Sequence, residues 1–218
     1  MKTALVFGSS GLIGGHLLNE LIKNDNYSKI KLFVRSDHGS NDSKIEIIKT
    51  DFNNLENHKE DIKGDDCFFC IGTTKQNSPD KNEYRRVELD VPKKIAQIAK
   101  SNLVNSFVYV SSGYADPNSS GDYLKFKGLV EEELKRLSFS KLGIMRPSFL
   151  MGDRKEKRVG EKVGIFIFKL LSPLFLGPLK KMKPIHSKKV AKAMIKITDG
   201  DFKQNVFESN EIVEVSNS

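Results

Sequence analysis

The chain has 218 residues, of which 38% are hydrophobic and 29% are charged, and its formal net charge is +8. This length and composition predict one globular domain with a full core, and they exclude a disordered chain and a large multi-domain assembly. The 2 Cys residues cannot form a disulfide framework, and the sequence has no motif typical of nucleic-acid binding.

The first residues lead directly into a short apolar strand, without the apolar region and small-residue cleavage site of a secretory signal. The longest apolar tract, 163–179, is interrupted by Lys169, Pro173 and Pro178. A membrane-spanning helix needs roughly 18 consecutive apolar residues. We therefore predict a cytoplasmic protein without a transmembrane segment, as a monomer or a homodimer.

The first two-thirds of the chain alternates short apolar runs with longer runs of helical spacing. Strands are predicted at 2–7, 29–35, 44–49, 66–71, 106–110 and 141–146, and helices at 12–23, 82–101 and 121–137. Nearly continuous apolar strands that alternate with helices are typical of a parallel sheet covered on both faces. We therefore predict an α/β fold, a Rossmann-type doubly wound sheet within a single domain, 1–218.

The pattern changes after Pro147, where a basic stretch, an apolar helix at 163–171 and a loop precede a helix that begins with Ser187 as its N-cap. We predict that residues 148–187 form a small lobe on the substrate side of the sheet. Residues 153–192 carry 12 Lys or Arg and only three Asp or Glu. Three interpretations of this basic segment remain open. It forms a solvated face, it attracts an anionic cofactor or substrate, or it contacts a membrane surface.

The first strand leads into a loop with the spacing G-x-x-G-x-x-G, which opens the first helix. A glycine at its start permits a tight turn, the second lets a pyrophosphate approach the backbone, and the third lets helix and strand pack closely. The helix N-terminus then offers free amide groups to phosphates. This context favours a dinucleotide site over a plain turn, with these cofactor-binding candidates: Gly8, Ser9, Ser10, Gly11, Leu12, Ile13 and Gly14.

The tip of the second strand bears on the choice of cofactor. Arg35 lies about 20 residues after the last glycine, where a basic side chain favours the 2′-phosphate of NADP. Ser36 can add a hydrogen bond there. Asp37 is the alternative contact, because an acidic residue favours the free ribose hydroxyls of NAD. We predict NADP as the cofactor, with NAD as the second choice.

Two further strand ends carry cofactor candidates. After the third strand, Asp51 can reach the adenine amino group and Phe52 can flank the ring. After the fourth strand, Gly72 lets the backbone pass close to the cofactor, and Thr73 and Thr74 can bind phosphate or ribose. Each segment also fits an ordinary strand-end turn.

A Ser, a Tyr and a Lys follow the fifth strand. Tyr123 and Lys127 are four residues apart and therefore share one face of a helix. A positive Lys127 stabilises the Tyr123 phenolate, so that the phenol can exchange a proton with a carbonyl or an alcohol. Ser112 can hold the substrate oxygen, while a nicotinamide supplies or takes the hydride.

Together these motifs resemble the short-chain dehydrogenase/reductase superfamily. The resemblance rests on the glycine loop, the Tyr123–Lys127 spacing, and the runs 110–112 (Val-Ser-Ser) and 146–148 (Arg-Pro-Ser). The run 70–74, Cys-Ile-Gly-Thr-Thr, narrows it to the atypical branch of HIV Tat-interacting oxidoreductase-like and nucleoside-diphosphate-sugar epimerase-like proteins.

The resemblance implies that the glycine loop and Arg35 bind NADP and that Ser112, Tyr123 and Lys127 are catalytic. It also implies that Lys127, with Tyr123 beside it, contacts the nicotinamide ribose. Residues Pro147 and Ser148 would flank the nicotinamide.

The chain also departs from the classical pattern. It lacks the Asn-Asn-Ala-Gly run after strand four, the extra catalytic Asn of the preceding helix and a large substrate domain. Two functions therefore remain open. One is an NADP-dependent oxidoreductase acting on a small, unidentified carbonyl or alcohol, and the other is an NADP(H)-binding regulator or redox sensor with little or no turnover.

No metal site is predicted. Cys67 and Cys70 are three residues apart on a buried strand, so their side chains point to opposite faces and suit neither a redox pair nor a metal. The 4 His residues are scattered without ligand spacing.

Overall fold

The computed structural model describes residues 1–36, 39–152 and 183–218, and a seven-stranded sheet runs through its centre. The strands are β1 (Lys2–Phe7), β2 (Tyr27–Val34), β3 (Ile45–Lys49), β4 (Asp66–Phe69), β5 (Ser106–Val110), β6 (Lys141–Arg146) and β9 (Val206–Glu208). Their order is β3-β2-β1-β4-β5-β6-β9, and every neighbouring pair is parallel. From β1 the sheet extends to one side through β2 and β3, and to the other side through β4 and the later strands. Open α/β sheets bind ligands in the crevice where the strand order changes in this way, which here lies between β1 and β4.

Helices cover both faces of this sheet, as predicted. The helices are α1 (Leu12–Ile22), α2 (Lys81–Arg85), α3 (Val91–Ser101), α4 (Asp122–Leu137), α5 (Ser187–Asp199) and α6 (Ser209–Asn217), with a 3-10 turn at Leu55–His58. One buried cluster joins the sheet to α1, α5 and α6, and it includes Leu17, Val190 and Ile212. The opposite cluster joins the sheet to α3 and α4 and includes Ile95 and Leu134. The Rossmann-type prediction is therefore confirmed.

The predicted helix at 82–101 is interrupted, which corrects the sequence analysis. A π turn, Arg86–Asp90, separates α2 from α3, and the Val91 N–H donates to the Arg86 carbonyl five residues earlier. Pro92 explains this turn: it has no N–H to donate to the Glu88 carbonyl, and its ring would collide with that carbonyl in a regular helix. The turn changes the face on which the residues before Pro92 lie.

The last strand and helix were not predicted. β9 has three residues, too few for a periodic pattern, and it forms by pairing with Ile144, Met145 and Arg146 of β6. Phe207 at its centre is fully buried against the core. Helix α6 follows at once, and a capping box between Glu208 and Glu211 begins it.

Only the two edges of the predicted lobe are described. β7 (Leu150–Met151) pairs in parallel with β8 (Ile185–His186), and residues 153–182, with most of the basic segment and the predicted apolar helix, lie outside the described residues. The N-cap of α5 is His186 rather than the predicted Ser187, because the His186 ring accepts the Lys188 N–H at 3.2 Å. No helix of the described ranges is long and apolar enough to cross a membrane.

Candidate functional site

The described candidate residues lie where parallel strands end or where the following helices begin. They follow β1, β2, β3, β4, β5 and β6, so they gather along the carboxyl edge of one sheet. This edge is where parallel α/β sheets bind ligands, because loops and helix N-termini converge there.

The loop from β1 to α1 needs glycine at two positions. Gly8 has φ +90°, and a Cβ at this position would lie 2.8 Å from the Cys70 carbonyl carbon. A Cβ on Gly14 would lie 2.0 Å from the Gly8 oxygen, which no real side chain tolerates. The Gly11 N–H donates to that same oxygen at 3.1 Å. The loop is therefore a tight cradle of backbone against the first turn of α1.

This cradle suits a dinucleotide pyrophosphate. The N-cap of α1, Gly11, offers no side-chain acceptor, and the first turn holds no acidic residue. The Ser9 hydroxyl is buried and has no hydrogen-bond partner among the described residues, whereas Ser10 is exposed. Ile13 points into the core, so it contributes only its backbone amide, and Leu12 is half-buried. Free amide donors and an unused hydroxyl fit an anionic group.

Arg35 and Ser36 are both exposed at the end of β2. Arg35 makes no ion pair with any residue that the structure describes. The positive charge of Arg35 acts on Glu83, whose carboxyl pKa is lowered mainly by a hydrogen bond from Arg86 and further by Arg35. The alternative contact, Asp37, lies outside the described residues.

Asp51 and Phe52 form a local turn after β3. The Asp51 carboxylate accepts the Asn53 N–H at 2.9 Å and the Asn53 side-chain amide at 2.8 Å, and these bonds lower the pKa of this carboxyl. Phe52 has φ +63°, and its ring lies 6.4 Å from that of Phe7. Arg86 donates to the Phe52 carbonyl at 3.1 Å. Asp51 therefore already serves as a turn acceptor at the place predicted for adenine.

The loop after β4 is attached to a buried carboxylate. The Thr73 N–H donates to Glu88 Oε1 at 2.5 Å, and the Thr73 hydroxyl lies 2.9 Å from that of Ser78. The Thr74 hydroxyl accepts the Asn77 N–H at 3.2 Å. Gly72 is exposed, and a Cβ there would lie 3.4 Å from Glu88 Oε1. Glu88 therefore orders this candidate cofactor loop.

The structure brings Tyr123 and Lys127 together on α4. The Lys127 ammonium lies 5.9 Å from the centre of the Tyr123 ring and 4.9 Å from that of Tyr109. It also donates to the Val110 carbonyl at 3.3 Å and lies 3.1 Å from Glu88 Oε2. Burial works against a charged Lys127, but the Glu88 carboxylate 3.1 Å away favours the ammonium, and the pKa of Lys127 is raised. Lys127 is therefore a buried positive charge behind a Tyr123 side chain that is 39% exposed.

Ser112 lies in the loop after β5, beside the segment after β6. Its hydroxyl donates to the Gly113 carbonyl at 3.3 Å, and the Gly113 N–H donates to the Pro147 carbonyl at 3.0 Å. The Ser148 N–H donates to the Ser209 hydroxyl at 2.7 Å, and its own hydroxyl donates to the Lys183 carbonyl at 2.6 Å. Pro147 and Ser148 thus adjoin the Ser112 loop.

Sequence reasoning missed Glu88 and assigned no role to Glu131. Both carboxylates are buried at 1% exposure beside this edge of the sheet. The sequence did contain an indication that Glu88 is buried. This Glu lies among the apolar positions of its helix, four residues before Pro92. No comparable local signal identifies the partner of either carboxylate.

The two cysteines lie on opposite faces of the sheet, as predicted. Cys67 belongs to the cluster beneath α3 and α4, and Cys70 packs against the cluster beneath α1 and α5. Burial raises the pKa of the Cys70 thiol to about 12, despite the opposing influence of Lys127. In the described part of the chain, no His, Cys, Asp and Glu side chains are grouped to hold a metal ion.

A parallel sheet with this strand order, a glycine cradle before α1 and a Tyr–Lys pair define a dinucleotide-binding protein of the Rossmann class. Residues 8–200 match the family described as NAD(P)H-binding. The chain belongs to this family, and it is an atypical short-chain dehydrogenase/reductase of the branch that includes the protein HTATIP2. It is therefore a nicotinamide-dinucleotide-binding protein.

Relatives and solved structures agree with this assignment. Protein HTATIP2 of Rattus norvegicus is 34% identical over 73% of this chain and 67% of its own length. Protein FMP52, mitochondrial, of Eremothecium gossypii is 28% identical over 96% of this chain and 95% of its own. The Bordetella bronchiseptica enzyme WbmH, solved with NAD⁺, has the same fold with a TM-score of 0.70 at 16% identity, covering 95% of this chain and 75% of that one.

The predicted cytoplasmic location is wrong by this comparison, because the FMP52 relatives are named as mitochondrial proteins. The physical reason for the error is that the first residues form β1, which is buried between β2 and β4. The sequence of a strand in the sheet core is determined by folding, so it does not indicate in which cellular compartment the protein works.

Proposed function

We propose that this protein is an NADP-dependent oxidoreductase that transfers a hydride between the cofactor and a small carbonyl or alcohol. The observation that carries the proposal is the position of a buried, charged Lys127 5.9 Å from the ring of the half-exposed Tyr123. This pair stands at the same sheet edge as the glycine cradle. A proton-exchanging phenol beside a dinucleotide site is what carbonyl–alcohol interconversion requires.

We assign the cofactor contacts to residues at the ends of β1, β2, β4 and β6. The free amides at the start of α1 and the Ser9 hydroxyl, which has no partner among the described residues, hold the pyrophosphate, and Arg35 binds the 2′-phosphate. Gly72, Thr73 and Thr74 line the cofactor on the β4 side, and Pro147 and Ser148 line the nicotinamide side. When bound, the nicotinamide supplies or accepts the hydride.

Three side chains handle the substrate oxygen. Tyr123 gives a proton to that oxygen or takes one from it, and its exposure lets water restore the phenol. Lys127 stabilises negative charge on the phenol through its buried ammonium. Ser112 turns its hydroxyl from the Gly113 carbonyl to the substrate, since that 3.3 Å bond is long and easily exchanged.

A second candidate is an NADP(H)-binding regulator with little turnover. Its support is that Lys127 is already paired with the buried Glu88, which also holds the Thr73 loop. A cofactor that rearranges this loop would change the surface near α4 without chemistry. This candidate predicts tight cofactor binding, no turnover over a broad carbonyl panel, and partner affinity that differs between NADPH and NADP⁺.

The decisive first experiment is calorimetric titration with NADPH and with NADH, on wild type and on Arg35→Gln. We expect tight NADPH and poor NADH binding by wild type, and an NADPH affinity about tenfold lower for Arg35→Gln, the value of one charge-assisted bond. Lys29→Gln is the matched control, because this Lys pairs with Glu46 at the other end of β2. A preference for NADH would assign the ribose contact to Asp37, and binding of neither cofactor would end both candidates.

A carbonyl panel, assayed with NADPH, then separates the two candidates. Turnover that disappears in Tyr123→Phe supports the oxidoreductase. Tight binding without turnover on any member of the panel supports the regulator.

A further inference from the structure

The ion pair of Glu88 and Lys127 is almost completely removed from water. Glu88 is 1% exposed and Lys127 is 3% exposed, and Oε2 lies 3.1 Å from Nζ. The second carboxylate oxygen, Oε1, accepts the Thr73 N–H at 2.5 Å. A buried pair of this kind keeps both of its charges, because losing one partner would leave the other charge uncompensated.

We propose that Glu88 is a positioning residue that partly compensates the charge of Lys127 and so limits how strongly this cation favours the Tyr123 phenolate. The proposal rests on the function proposed above and adds a residue that tunes its proton-exchanging group. An anion beside a cation weakens the effect of that cation on a neighbouring phenol. Glu88 supplies an anion 3.1 Å from the nearest cation, the Lys127 ammonium.

The other groups around the pair do not replace this compensation. Tyr84 of α2, Tyr109 of β5 and Cys70 after β4 face Tyr123 or Lys127, and burial raises the pKa of each to about 12. These three groups are therefore neutral near pH 7. Asp122, which adjoins Tyr123 on α4, is exposed enough for water to screen it and pairs with Lys75 at 3.1 Å. Among the described groups facing the phenol, Glu88 and Lys127 are the buried charged pair.

The backbone around Glu88 explains why its carboxylate reaches Lys127. Pro92 forces the π turn that contains Glu88, and the turn rotates residues 86–90 relative to a regular helix. Glu88 thereby connects three segments, namely the loop after β4, the helix before α3, and α4.

The proposed step balances in atoms and charge. A reduced nicotinamide dinucleotide supplies the hydride and is itself oxidised. The carbonyl carbon gains that hydride, and the carbonyl oxygen gains the Tyr123 proton, so the phenol O–H bond breaks and an alcohol O–H bond forms. Lys127 stabilises the resulting phenolate until water reprotonates it at the exposed Tyr123 edge.

The test is a pH titration of the phenol by NMR on the full chain without cofactor, with all tyrosines labelled at ¹³Cζ. The Tyr123 signal is identified by its loss in Tyr123→Phe. We expect Glu88→Gln to move the titration midpoint of Tyr123 to lower pH by about one unit or more, because the cation becomes uncompensated. Glu133→Gln is the matched control, since this buried carboxylate of α4 pairs with Arg136 and accepts a hydrogen bond from Gln97 of α3, and should leave the midpoint unchanged.

A double variant keeps the test decisive if Glu88→Gln does not fold. Glu88→Gln with Lys127→Gln removes both charges and leaves two amides of similar size, which buried sites tolerate better than one unpaired ion. A midpoint close to that of wild type supports compensation in the native protein. A midpoint that rises by a unit or more means that Lys127 acts uncompensated in wild type, and it overturns the proposal, as does an unchanged midpoint in folded Glu88→Gln.

The rate experiment separates this proposal from the function on which it rests. With NADPH and an accepted carbonyl, the basic limb of the pH–rate profile should move to lower pH in Glu88→Gln and stay in place in Glu133→Gln. If no variant turns over any carbonyl, the proposed oxidoreductase fails, while the NMR midpoints still decide whether Glu88 compensates Lys127.

Discussion

The guanidinium of Arg146 donates two hydrogen bonds to the buried carboxylate of Glu131, from Nε at 2.9 Å and from Nη2 at 2.5 Å. The same carboxylate accepts the Ser111 hydroxyl at 2.5 Å, and Arg146 also donates to the Ala115 carbonyl at 3.0 Å. This network connects β6, α4 and the loop after β5. It therefore holds the loop that contains Ser112 against the helix that contains Tyr123.

Removing Arg146 should destabilise the protein strongly. Arg146→Leu leaves Glu131 as an unpaired buried charge, so we expect the free energy of unfolding to fall by about 3 kcal/mol, measured by urea denaturation. Arg85→Leu is the control, because Arg85 pairs with Asp90 and both side chains are more than half exposed, so its loss should change the unfolding midpoint little. Equal destabilisation by the two variants would refute a special role for the Arg146 network.

The two adjacent glycines of α1 should respond in opposite ways to alanine. Gly14→Ala puts a methyl group against the Gly8 oxygen, so we expect a distorted loop and NADPH binding weaker by at least about tenfold. In Gly15→Ala the added carbon lies 3.6 Å from the Ser9 oxygen, which is an ordinary contact. This second variant should bind NADPH normally and gain about 0.5–1 kcal/mol of stability. Calorimetric titration and urea denaturation of both variants check the pair.

Tyr123→Phe should separate chemistry from binding. The phenol donates the proton but does not hold the pyrophosphate, so we expect carbonyl reduction to slow by at least about 100-fold. The dissociation constant for NADPH should stay within about twofold of the wild-type value. Lys125→Gln, an exposed position on the same helix, is the control for general disturbance of α4. A Phe variant with the parental rate would rule out the proposed mechanism.

Both thiols should be unreactive in the native protein. Burial raises the pKa of Cys67 and raises that of Cys70 to about 12, and the thiolate is the reactive form. We expect iodoacetamide at pH 8 to label native protein at least about 100-fold more slowly than urea-unfolded protein. Rapid native labelling at either position would contradict the buried placement.

The same two thiols should make the free energy of unfolding decrease at high pH. Because their folded pKa values lie above the unfolded ones, their contribution is fully present below about pH 8 and is lost as the pH rises past about 8.5. Urea denaturation of wild type and of Cys70→Ala between pH 7 and pH 10 measures this effect. The wild type should lose stability more steeply with pH than the variant.

Much of the fold was predictable from the sequence because its signals are local. The predicted bounds of β1, β5 and β6 agree with the structure, and α4 begins one residue later than predicted. Apolar runs mark strands that are buried on both faces, and the glycine spacing marks the turn that opens α1. The four-residue spacing of Tyr123 and Lys127 likewise places them on one helix face.

What the sequence by itself determined was the Rossmann-type α/β class, the glycine cradle and the Tyr–Lys face, since periodicity and spacing operate within one element. Only the tertiary structure decided that β9 completes the sheet, that Glu88 meets Lys127, and that Arg146 holds Glu131. Each of these depends on residues that are distant along the chain. A buried charge reveals its role only when folding brings its partner within about 3 Å and removes the water between them.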